Sequence, residues 1–271
     1  MLGNNLTPIV KNLLIANAGV FLVANLFNFE EVSAFMALRY FESSQFKLHT
    51  IITHMFMHAD FMHLFFNMFA LFMFGPALEN VWGPKRFLLF YIVCGIGAAL
   101  VYTGVNAFEY HHLEQSIDAF RMNPDPYTFE LILHKKFGAF QRFPQLTEYF
   151  TELPNAYKQD PKNPALIRQS IDVLESFYQI KMNGPMVGAS GAVFGILLGF
   201  GMLFPNTPLL LLFFPVPIKA KYFVMIYGAL ELFAGIRNNP NDNVAHYAHL
   251  GGMIFAFILI KYWQKQRNSF Y

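Results

Sequence analysis

Apolar residues fall in long runs separated by short polar stretches, and the runs are close to bilayer thickness. A membrane helix needs about 20 mostly apolar residues, with a range of about 17–25. The runs Leu13–Phe29, Phe61–Phe74 (longer if it begins near Ala59), Arg86–Val105, Ser190–Phe204, Tyr222–Ile236 and Ala245–Trp263 predict six membrane helices. The run Pro208–Pro217 is apolar but too short and too proline-rich to span, and reads as an interfacial connector. The first run follows no dense basic segment and precedes no Ala-x-Ala site, so it reads as a retained helix and not a signal peptide.

Residues 106–182 are a different material. They hold about half of the charged residues, with mixed signs. Phe129, Leu133, Phe137 and Phe140 recur at helical spacing and predict an amphipathic helix over Tyr127–Phe143. Pro164 after Asn163 marks a second start, for a helix over Ala165–Lys181. The expected organisation is three spans in 1–105, an amphipathic insertion over 106–182, and three spans in 183–271, with no internal repeat. The insertion reads as a solvated or surface-lying element. The sharper alternative is a lid or a substrate-docking element.

Composition agrees with a multi-pass membrane protein. The chain is 55% hydrophobic and 13% charged, with a mean hydropathy of +0.35; an ordinary soluble domain is roughly 25% charged. A net charge of +2 gives no reason to expect nucleic acid. The single cysteine, Cys94, allows no internal disulfide and reads as a small core residue.

Basic residues in short loops set orientation. Lys11, then Lys85 and Arg86, then Lys219 and Lys221, then Lys261, Lys265 and Arg267 fall on one side if both termini are cytoplasmic. The insertion is then extracytoplasmic. The helices starting at Ser190 and Ala245 both run inward from the same outer depth.

That shared depth matters because each carries candidate chemistry. Ser190 lies in Gly188-Ala189-Ser190-Gly191, at the head of a stripe formed by Gly191, Gly195 and Gly199. A serine hydroxyl is a weak nucleophile and needs a base in hydrogen-bond reach, while flanking glycines let backbone N–H groups face an oxyanion. Alone, the stripe is as readily a helix-packing face. His249 lies one turn before Gly252 and Ala256, a second small-residue face. If the two faces pack, Ser190 and His249 meet. His246 is one turn earlier on a similar face, so spacing leaves open which histidine is the base; its plainer reading is a structural hydrogen-bonding residue. His63 and Asn67 are four apart and share a helix face, where both can donate to an oxyanion. Metal binding by His54, His58 and His63 is disfavoured: His-Glu-x-x-His is absent, and helical spacing puts His58 and His63 nearly on opposite faces.

Together, His58-x4-His63-x3-Asn67, Gly188-Ala189-Ser190-Gly191 and Ala248-His249-Leu250-Gly251-Gly252 resemble the rhomboid intramembrane serine proteases, as do Glu79-Asn80-Val81-Trp82-Gly83 and Phe204-Pro205-Asn206. The resemblance covers roughly Leu13–Val105 and Pro185–Trp263, and the insertion departs from it. It implies an all-α membrane fold, a six-transmembrane-helix bundle, to which composition and charge add a large extracytoplasmic insertion between the third and fourth spans. It further implies Ser190 as nucleophile, His249 as base, and an oxyanion hole from His63, Asn67 and the Ser190 N–H. Gly188 would shape the loop and His58 would support the site. Phe194 matches an aromatic position that packs on the catalytic histidine. No aspartate in the spans presents itself as a third member, so packing by Phe194 would orient His249. Implied partners are transmembrane substrates and the lipid bilayer, with no cofactor, metal or nucleic acid. A catalytically silent rhomboid-like protein that binds transmembrane helices is the alternative. The compact chain suits a bacterial inner membrane.

Overall fold

The computed structural model describes residues 6–211, 214–237 and 245–268. The helices among them are α1 (Pro8–Leu26), α2 (Phe29–Met36), α3 (Thr50–Thr53), α4 (Phe61–Trp82), α5 (Pro84–Met122), α6 (Pro126–Phe137), α7 (Thr147–Gln159), α8 (Pro164–Met182), α9 (Ser190–Leu203), α10 (Ala220–Arg237) and α11 (His246–Asn268). The fold is mostly helical. Three helices, α1, α4 and α5, are long and apolar enough to cross a bilayer, and α9 is a shorter apolar helix.

Helix ends follow local capping more than hydropathy. The first run was expected to reach Phe29, but Asn28 accepts N–H bonds from Glu30 and Glu31 and so starts α2 there. Asp60 caps α4 by accepting from the His63 N–H at 2.8 Å. The helix then continues through Pro76 to Trp82, eight residues beyond the Phe74 limit of the apolar run. Its last turns carry Glu79, whose two carboxylate oxygens accept the Ile9 and Val10 N–H groups, each at 3.0 Å. A buried carboxylate on one helix thus caps the first turn of another.

One element departs from an all-helical fold. The connector at 208–217 is part of an antiparallel hairpin, β1 (Pro208–Leu211) with β2 (Phe214–Lys219), pairing Pro208 with Lys219 and Leu209 with Ile218.

The insertion also differs from its sequence reading. No break falls at Val105: α5 runs 39 residues from Pro84 to Met122. Its far end joins α6, α7 and α8 around a separate core containing Leu113, Phe120, Phe129, Leu133, Tyr157 and Leu174. The helix expected over Tyr127–Phe143 ends at Phe137 and gives way to a short 3-10 segment, Gly138–Arg142. Helix α7 was not anticipated, although Phe150, Leu153 and Tyr157 have the spacing of a buried stripe. Pro154 and the high charge of that segment obscured it.

The bundle packs around α9, which touches α4, α5, α10 and α11. Of its 14 residues, ten are buried, as expected for a helix apolar on every side.

Candidate active site

Four elements meet at the N-terminal end of α9. The first is the start of α4. The Asp60 cap puts His63 in its first turn and the buried Asn67 one turn on, on the expected shared face. The Asn67 amide donates to the His63 carbonyl at 2.9 Å, which uses one of its two N–H donors. His58 contradicts the opposite-face reading. It precedes the helix, and its ring sits edge-on to that of His63 with centroids 5.0 Å apart. The chain before α4 is not helical at His58, so helical spacing did not apply. His58 and His54 are buried. Burial pushes the His54 imidazole down to about 4 and, aided by His63, that of His58 down to about 3. Both are neutral at pH 7, and His54 Nδ1–H donates to the Thr50 carbonyl.

The second element is the loop entering α9. Leu38 and Met186 exchange backbone hydrogen bonds at 3.0 and 2.7 Å, and the Gly188 N–H donates to the His54 carbonyl at 2.9 Å. Gly188 has φ +122°, a conformation L side chains rarely adopt. A Cβ there would lie 2.7 Å from the His63 ring and 3.7 Å from Ser190 Oγ. Gly188 therefore occupies the narrow space between the candidate oxyanion donor and the candidate nucleophile.

The third is the α9–α11 contact. A Cβ on Gly252 would lie 1.9 Å from the Gly191 carbonyl oxygen, and one on Gly195 would lie 3.2 Å from the Gly252 oxygen. The two small-residue faces pack backbone to backbone, as the sequence led one to expect. This contact sets His249 beside the first turn of α9. The His249 ring stacks on Phe194, centroids 4.1 Å apart and planes 7° from parallel.

The fourth element, α10, supplies a group the sequence reading missed. Its inward residues include Val224 and Gly235 and, between them, the buried Glu231. Glu231 Oε2 accepts from His249 Nδ1–H at 2.8 Å and from His246 Nδ1–H at 2.7 Å. The expectation that packing alone orients His249 is corrected: a carboxylate holds it as well. The candidate third member is a glutamate, where the sequence expectation concerned aspartates in the spans. Its signal was available, since an acidic residue inside an apolar run is costly and usually functional. His246 takes the structural hydrogen-bonding position expected for it. The three ligand-type atoms of Glu231, His246 and His249 lie within 4.8 Å of one another, a His2Glu set of the kind zinc can use; their mutual hydrogen bonds satisfy them without an ion.

A rhomboid domain model matches residues 45–116 and 170–265, more than half of the chain. The chain belongs to the rhomboid family. RHOMBOID-like protein 12, mitochondrial, of Arabidopsis thaliana is 30% identical over 265 residues, covering 96% of this chain and 59% of that relative. Rhomboid protein 1, mitochondrial, of Saccharomyces cerevisiae is 35% identical over 88 residues, 31% of this chain and 25% of the relative. The Bacillus subtilis relative YdcA is 50% identical over 46 residues, 17% of this chain and 23% of its own length. The chain spans less than two thirds of the length of these relatives. Two of the three carry mitochondrial names, which runs against a bacterial inner membrane as the expected location. Residues 117–169, the bulk of the insertion, lie between the matched rhomboid segments.

Proposed function

We propose that this rhomboid-family protein is an intramembrane serine endopeptidase that cuts transmembrane segments of other membrane proteins. Ser190 is the nucleophile and His249 the general base. The observation that carries this reading is the convergence at Gly188, where the His63 ring and Ser190 Oγ bracket a glycine with no room for a side chain. The α9–α11 contact and the stacking on Phe194 bring His249 to the first turns of α9, which supports its role as base. His249 Nδ1 is committed to Glu231, so Nε2 is the nitrogen available to the serine.

In this mechanism His249 Nε2 takes the Ser190 proton as Oγ attacks the scissile carbonyl. The oxyanion accepts from the Ser190 N–H, Asn67 and His63; one such donor is worth about 2.7–4 kcal/mol in a measured serine protease. The imidazolium returns the proton to the leaving amine, and water then resolves the acyl-enzyme with His249 as base again. His58, buried against His63, limits the positions the His63 ring can take.

The membrane arrangement goes with this reading. Six spans are built from α1, α4, the first half of α5, α9, α10 and α11, with both ends of the bundle on one side of the membrane and the site near the opposite face. The 106–182 segment then stands outside the bilayer as a helical cap. The relatives named only as rhomboid-like favour one rival, a silent helix-binding protein. Fluorophosphonate labelling of the full chain in detergent separates the two. Modification at Ser190, lost in His249→Ala and in heat-denatured protein, together with cleavage of a model transmembrane substrate that Ser190→Ala abolishes, is the expected result. An unlabelled Ser190 in folded protein that also fails to cleave selects the rival.

A further inference from the structure

The carboxylate of Glu231 is the least expected group in the bundle. It lies on α10, whose other side chains include the exposed apolar residues Met225, Ile226, Leu230, Leu232, Phe233 and Ile236. A carboxylate among such residues is expensive unless it is hydrogen-bonded on arrival. The helix is shaped to deliver it. Glycines stand three residues before and four residues after it, on the face toward α11. A Cβ on Gly228 would lie 3.1 Å from the Met253 side chain, and one on Gly235 would lie 3.2 Å from Tyr247 and 3.4 Å from His246 Cβ. These two close approaches bring the helices together on either side of Glu231, which then bonds both histidines through one oxygen.

We propose that Glu231 is a positioning residue of the reaction, completing a Ser190–His249–Glu231 triad where the resemblance alone implies a dyad. The inference rests on the protease reading above. A carboxylate only accepts, so His249 must carry its proton on Nδ1 and present a lone pair at Nε2. That is the tautomer that can take the Ser190 proton. When it does, both ring nitrogens are protonated, and the positive charge sits 2.8 Å from an oxygen of opposite charge in a poorly screened interior. No proton moves to Glu231. Phe194 fixes the plane of the ring, while Glu231 fixes its rotation within that plane and its tautomer. The titratable groups around His249 are Glu231 and Tyr227 on α10, His246 on its own helix, and His63 on α4.

His246 donates to the same oxygen at 2.7 Å. This second bond further restrains the carboxylate that holds His249.

The test uses the full chain in detergent with a cleavable transmembrane substrate. Glu231→Gln keeps the shape, but its amide can donate to Nδ1 and so stabilise the wrong tautomer. The expected result is a fall in kcat of about 100-fold or more, since the corresponding change in a soluble serine protease costs about 10,000-fold, with KM within about twofold. With the carboxylate charge gone, the acid limb of the kcat profile moves to lower pH, by about one unit. Glu231→Asp restores part of kcat and part of the limb. A purely structural role would reduce the folded fraction and leave the limb where it was. Nitrogen-15 NMR of histidine-labelled protein reads the tautomer without substrate: Nδ1–H in the wild type, mixed in Glu231→Gln. If Glu231→Gln does not fold, Glu231→Asp and the wild-type tautomer carry the test. Wild-type kcat with an unmoved limb in Glu231→Gln overturns the triad, as does an Nε2–H tautomer in the wild type. If Ser190 is labelled normally in that case, the protease reading stands and only the triad falls. If Ser190 of the folded wild type is neither labelled nor able to cleave, the protease reading falls and the triad with it.

Discussion

Phe194 and His249 lie face to face, their ring planes only 7° apart and their centroids separated by 4.1 Å. Phe194 is one turn after Ser190 on α9, so the ring that steadies the proposed base is carried by the helix that carries the proposed nucleophile. Aromatic stacking of this kind is worth about 0.5–1.5 kcal/mol beyond burial. Phe194→Leu should therefore lower kcat/KM roughly 2- to 12-fold with little change in melting temperature. Measuring both on one preparation checks it; an unchanged kcat/KM would remove Phe194 from the orienting role.

Gly252 has no space for a methyl group. A Cβ there falls 1.9 Å from the Gly191 oxygen, a backbone atom that cannot rotate away. Gly252→Ala should cost about 1–3 kcal/mol by overpacking and should also move His249, the proposed base, away from Ser190. Its control is Gly19→Ala in α1, where nothing lies within 4 Å; that change should stabilise by about 0.5–1 kcal/mol. Thermal melts and probe labelling of the two variants should diverge in both readouts.

Glu79 predicts a stability effect with no catalytic counterpart. Its carboxylate accepts two first-turn N–H groups of α1 in a buried setting. Hydrogen bonds to a charged group contribute roughly 1.5–3 kcal/mol each. Glu79→Ala should lower stability by about 3–6 kcal/mol and leave Ser190 labelling per folded molecule unchanged. Equal losses in both would mean that α1 supports the site directly.

The buried histidines make stability depend on pH. His54 titrates at about 4 and His58 at about 3, against 6.5 in the unfolded chain. Between those values the unfolded state binds more protons than the folded one. Stability conferred by these neutral imidazoles is complete above pH 6.5 and is lost as pH falls toward 4. The melting temperature should drop by several degrees over that interval, and His54→Gln should flatten the drop. A wild-type melting temperature that is level from pH 6.5 to 4 would contradict the burial of both rings.

The motifs around Ser190, His249, His63 and Asn67 were legible because they are local, and the α9–α11 contact was legible because two small-residue stripes pointed to each other. Glu231 was not found because its partners lie 15 and 18 residues away, across a connection no motif spans. Glu79 is farther still from Ile9 and Val10, and a remote helix cap leaves no periodic trace. His58 was misjudged by extending a helix backward past its Asp60 cap. In the insertion, apolar spacing foretold two helices. It did not foretell that their core would be shared with the far end of α5.

That sharing gives α5 a mechanical character. Thirty-nine helical residues make about 58 Å of continuous rod. One end is gripped by the bundle, where the Ala98 methyl abuts Gly191 and Gly97 abuts Phe255. The other end, through Leu113, Ile117 and Phe120, is part of the cap's interior. Val105 marks a change of surroundings but no joint. Force applied to the 106–182 helices reaches the head of α9, beside Gly191, along a single beam, with no loop between to absorb it.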